Sequence, residues 1–107
     1  MDFNEYQKQA LRTAGVKDNT GLILNGVMGL AGESGECIDM VKKQMFQGHE
    51  LDAAKMLDEL GDVLWYVAIT AEGLGLSLEE VAEYNITKLT KRYPEGFAAD
   101  RSINRVE

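Results

Sequence analysis

The chain has 107 residues, one proline, one cysteine, one histidine and a formal net charge of -7. That length is one domain whose core is marginal by itself, which predicts association with further copies of the chain. The acidic balance excludes sequence-independent duplex binding, which needs clustered Lys and Arg against phosphates, though not a free nucleotide held through a divalent metal.

With Cys37 alone, no intrachain disulfide is expected, and its apolar spacing marks a small core residue. Nothing at the start resembles a secretory signal or a membrane span, so the expectation is a cytoplasmic protein with no membrane and no stable nucleic-acid partner. Apolar residues recur at helical rather than alternating spacing, which predicts an all-α class: a four-helix domain over 1–97 and a tail over 98–107. Asp2 with Glu5 can open the first helix as a capping box, and Gly15 can close it. The second runs over about 20–47, with Val27, Leu30, Cys37, Val41 and Met45 on one stripe, and ends at Gly48. The third, about 52–74, buries Leu57, Leu60, Leu64, Ala68 and Ala71. A Ser77-x-x-Glu80 capping box opens the fourth, and Pro94 forbids its extension.

Two acidic pairs carry the chemistry. Glu33 with Glu36, and Glu59 with Asp62, are each spaced i,i+3, so each pair shares one helix face. Both pairs are centred between Gln47 and Gly48, so an antiparallel hairpin turning there sets all four at one height, roughly 17 to 22 Å from the turn. Four carboxylates facing each other repel unless a cation sits among them. Di-iron bundles add histidines to such carboxylates, but the single histidine, His49, falls at the turn and reads as a solvent-facing residue. An oxygen-only site suits Mg²⁺, with Mn²⁺ able to substitute, and magnesium in turn suggests a phosphate substrate.

Gly29, Gly32 and Gly35 interrupt the second helix, each at about 1 kcal/mol relative to alanine. Two accounts stand. The helices cross closely there, or Asn25, Gly29, Gly32 and Glu36 form a bare trough in which a ligand lies. On the fourth helix Asn85, Lys88 and Arg92 share a stripe beside Tyr93, which reads as a phosphate clamp; the bland alternative is a solvated basic helix end. Trp65 and Tyr66 read first as core or interface anchors, Tyr66 being the better candidate for stacking on a base because it continues the Glu59 and Asp62 stripe.

The segments Gly29–Glu36, Asp58–Asp62, Asn85–Leu89 and Arg92–Phe97 resemble the MazG-like all-α nucleotide pyrophosphohydrolases, and the likeness extends from Tyr6-Gln7 to Phe97. Its Glu-x-x-Glu and Glu-x-x-Asp motif is matched at Glu33, Glu36, Glu59 and Asp62. The resemblance implies hydrolysis of nucleoside triphosphates to monophosphate and pyrophosphate, with those four acids as magnesium ligands and Lys88 and Arg92 on the phosphates. It also implies homo-oligomers, usually tetramers of paired dimers in which one subunit's site is completed by another. Glu36 is the candidate base and Asp58 the alternative, although Asp58 points about 100° from Glu59. The rival function is a non-catalytic helical oligomerisation module with a structural cation site.

Overall fold

Each long helix starts where a side chain can take up free backbone N–H groups. The computed structural model describes residues 1–105, and these form α1 (Phe3–Leu11), α2 (Asn19–Phe46), α3 (Ala53–Gly73), α4 (Leu78–Arg92) and α5 (Ala99–Ile103), with no strand among them. Asp18 caps α2 through the Gly21 N–H at 3.0 Å, and Asp52 caps α3 through Ala54 at 2.9 Å. The predicted box on α4 is reciprocal: Glu80 N–H donates to Ser77 at 3.0 Å and Ser77 N–H to Glu80 at 2.7 Å. On α1 only half of it forms. Asp2 accepts from Glu5 N–H at 2.8 Å, while the Glu5 carboxylate turns forward to accept from Gln9 at 3.0 Å.

Two helix ends differ from the sequence expectation. Helix α1 stops at Leu11, short of Gly15, because the Ala10 carbonyl is taken by the Trp65 indole N–H at 3.0 Å and by Thr13 rather than by the next helical turn. At the other end, the tail contains α5, which makes five helices where four were expected. Its five residues could not be seen as a periodic pattern.

Helices α2 and α3 form the central antiparallel hairpin, joined by a loop over 47–52 in which Gly48 has a φ of +74°. Helix α1 packs on α3, and α4 touches both. The buried residues gather at the open end of the hairpin. One cluster is Ala10, Ala68 and Leu78, with Tyr6 and Trp65 against it; the other is Ala14, Leu22 and Ile69, flanked by Trp65 and Tyr66. Gln7, only 6% exposed, ties three elements there: its amide donates to Ala68 O at 3.4 Å and Leu76 O at 3.0 Å and accepts from Leu78 N–H at 2.7 Å. Toward the turn, by contrast, Ile38, Met45, Leu57 and Leu60 stay exposed, so part of the stripe expected to be buried in α3 is not covered within the chain. None of the described helices is long and apolar enough to cross a membrane.

Four glycines of α2 divide into two kinds. At Gly29 a Cβ would run into the Tyr66 ring, and at Gly26 into Thr70, so these two mark the close crossing; at Gly32 and Gly35 it would meet nothing within 4 Å. Gly29→Ala should therefore lose about 1 to 3 kcal/mol by overpacking. Gly32→Ala should gain up to about 1 kcal/mol of helix propensity. Urea midpoints of the two variants check this, and equal midpoints would mean that the crossing is loose.

Candidate active site

The hairpin register decides what the acids can do. Gly29 and Tyr66, in contact, are centred between Gln47 and Gly48, as Glu33 and Asp62 are, so the expected register holds although the loop is centred slightly later. Carboxylate oxygens of Glu33, Glu59 and Asp62 lie within 4.8 Å of one another. Glu33 and Glu59 are half-buried and Asp62 is exposed. Glu36 does not join them. It is exposed, and its charge acts on Lys43, whose ammonium is held mainly by Asp39 at 2.9 Å.

Like charges this close are held at a cost visible in their protonation. A hydrogen bond with Glu33 raises Glu59 above the usual carboxylate range; partial desolvation, the Glu33 charge and Asp58 add to the shift. Glu59 therefore takes up a proton more readily than a free carboxylate does, and a bound cation would offset the same charge. The donor set is carboxylate oxygen alone, with no nitrogen or sulfur, which fits a hard divalent ion.

The other candidates are scattered more widely. Asn25 and Asn85 are exposed; Lys88, Arg92 and Tyr93 are half-buried, with Tyr93 edge-on to Phe97 at a 5.5 Å centroid distance. The ion pairs among the described residues join Lys42 and Lys43 to Asp39, so neither Lys88 nor Arg92 is paired with the three acids. The trough imagined along Asn25, Gly29 and Gly32 is interrupted at Gly29 by the Tyr66 ring. Tyr66 is thereby a packing residue, edge-on to Trp65 at 5.0 Å, and Trp65 is anchored by its indole to Ala10 and Thr13. His49 sits exposed in the loop, its backbone N–H on the Lys43 carbonyl.

A family model described as the MazG nucleotide pyrophosphohydrolase domain matches residues 24–97, more than half of the chain. The chain belongs to this family. A relative, the Gene 37 protein of Mycobacterium phage L5, is 38% identical over 82 residues, covering 73% of this chain and 72% of that protein. No solved structure gives a match. The MazG segment runs from within α2 to Phe97 and so contains all four motif acids together with Lys88 and Arg92. Membership makes nucleotide pyrophosphohydrolase activity the general function, and the acidic cluster agrees with the divalent-metal dependence general in MazG enzymes.

Two features of the structure escaped the sequence reading. Tyr6, on α1 and outside the matched segment, has its hydroxyl pKa raised first by burial and then by the Asp62 charge, so α1 borders the acids. No local spacing could show this. Lys43 and Lys55 line one cavity of about 250 Å³ with His49 and Asp52. Lys55 is one helical turn before Glu59, a spacing that was visible in the sequence.

The raised Glu59 group has a pH consequence. The folded chain binds this proton more tightly than the unfolded chain, so metal-free stability should rise as pH falls from neutral through the raised value toward the ordinary carboxylate range. Glu59→Gln should raise the metal-free Tm at pH 7, and the gain should shrink as the pH is lowered. Calorimetry in chelator across that range tests it; a variant no more stable than the parent at pH 7 would show that Glu59 carries no repulsion.

Proposed function

We propose that the chain hydrolyses nucleoside triphosphates, deoxy or non-standard ones, to nucleoside monophosphate and pyrophosphate with Mg²⁺, which Mn²⁺ can replace. The observation that carries this reading is the meeting of Glu33, Glu59 and Asp62 across the hairpin, within a chain of this family. Glu33, Glu59 and Asp62 would hold the divalent ion, which would supply Lewis-acid polarisation of phosphate oxygens. Glu36 lies outside the cluster and in solvent, a position suited to accepting the proton of the attacking water as that water's oxygen bonds to the α-phosphorus. The bond broken is the one from the α-phosphorus to the oxygen bridging it to the β-phosphorus, and pyrophosphate leaves intact. Lys88 and Arg92 offset the charge of that leaving group, while Asn25, Asn85 and Tyr93 orient the nucleotide.

Reaction in ¹⁸O-labelled water tests the direction of attack: label should enter the monophosphate. Label in pyrophosphate only, or release of inorganic phosphate, would overturn it. Glu36→Gln and Glu59→Gln should each abolish magnesium-dependent turnover while keeping the helical circular dichroism signal; full activity in either would remove the site as assigned.

The functional unit is proposed to be a homo-oligomer, a tetramer, consisting of one domain per chain over 1–97 with 98–107 as its tail. The single chain has a radius of gyration of 16.7 Å, whereas a compact domain of this length has about 13 Å. Ile38 is 72% exposed and Leu57 71%, apolar surface that water disfavours and another subunit would cover. Light scattering at micromolar concentration should report a multiple of the chain mass, and a monomer there would refute this part of the reading.

A further inference from the structure

A helix ends with carbonyls that have no partner inside it, and cationic side chains can take them up. At the end of α4 this is done from outside the helix. Arg101 donates from Nε to the Arg92 carbonyl at 2.8 Å and from Nη2 to the Lys91 carbonyl at 3.2 Å. The segment between them is shaped to bring Arg101 back: Gly96 has a φ of +88°, its N–H bonds Tyr93 O at 3.1 Å, and the rings of Tyr93 and Phe97 meet edge-on. Helix α5 has five residues and no side-chain N-cap, too little to be stable alone, so its contact with α4 is what orders it. The Nε–H of Arg92 itself is buried and has no hydrogen-bond partner. A buried guanidinium donor without an acceptor is costly, so the placement of this side chain depends on what fixes the end of α4.

We propose that Arg101 is a positioning residue for Arg92: by holding the last carbonyls of α4 it sets the Arg92 guanidinium to receive the outer phosphates of the nucleotide. This rests on the assignment of Arg92 to phosphate made above. Two arginines are brought to one helix end, Arg101 spending its hydrogen bonds on backbone while the buried Arg92 Nε–H has no acceptor. The dipole at a helix C-terminus favours both charges. Arg101 touches neither substrate nor metal in this scheme, so its effect must pass through Arg92.

A double-mutant cycle isolates that coupling. Calorimetric titration with magnesium pyrophosphate, together with KM and kcat for a deoxynucleoside triphosphate, would be run on the full chain and on Arg92→Ala, Arg101→Ala, Arg101→Lys and the double alanine variant. Arg92→Ala should raise Kd about 10-fold or more, and Arg101→Ala about 3- to 5-fold, with KM rising more than kcat falls. In the Arg92→Ala background the second substitution should add nothing, and Arg101→Lys should recover part of the loss by keeping the charge without the fork. If Arg92→Ala weakens binding but Arg101→Ala leaves Kd unchanged, or multiplies it equally in both backgrounds, the positioning role is overturned while the phosphate assignment stands. Unchanged Kd in Arg92→Ala would remove the assignment and this inference together.

Discussion

The ring of Tyr66 lies where the side chain of any residue other than glycine at position 29 would have to be, and Thr70 does the same at Gly26. Such a contact admits no sliding, because a shift by one residue would drive a ring or a methyl into backbone. The register of α2 against α3 follows from it. Glu33 and Asp62 share the centre of symmetry of that contact, and Glu59 joins them from one helical turn before Asp62. The glycines that look like a weakness in α2 are thus of two sorts: Gly26 and Gly29 permit the crossing, and Gly32 and Gly35 leave open surface beside the acids.

Around that register the chain is unevenly stabilised. The open end of the hairpin holds the two small apolar clusters and the buried Gln7 amide, whose three hydrogen bonds join α1, the end of α3 and the start of α4. Toward the turn there is no comparable burial, and Ile38, Met45, Leu57 and Leu60 face outward. The acids stand between these regions, with Glu33 and Glu59 half-buried and mutually repelling. A group of like charges there works against folding, a cost that a bound cation would offset.

The family match begins at residue 24, yet α1 contributes to the same architecture. Gln7 fastens the helix that carries Lys88 and Arg92, and Tyr6 borders Asp62. At the far end Arg101 closes α4 from beyond the matched segment as well. Residues outside the matched segment therefore tie down both ends of α4 and border the acidic cluster.

What the sequence determined by itself was local. Capping at Asp2 and Ser77, the break at Gly48 and the helical spans depend on residues within a turn or two of each other and emerged nearly as read, whereas the burial expected of Leu57, Leu60 and Met45 did not. The mirror placement of the acids even foretold the hairpin register, since an antiparallel pair has a single centre. Only the tertiary structure decided which acids meet, that Glu36 stays apart beside Lys43, that Tyr66 fills Gly29, that Trp65 shortens α1 and that Arg101 returns to α4. Each of these depends on side chains from distant segments competing for one space or one carbonyl, and helical periodicity carries no record of that competition.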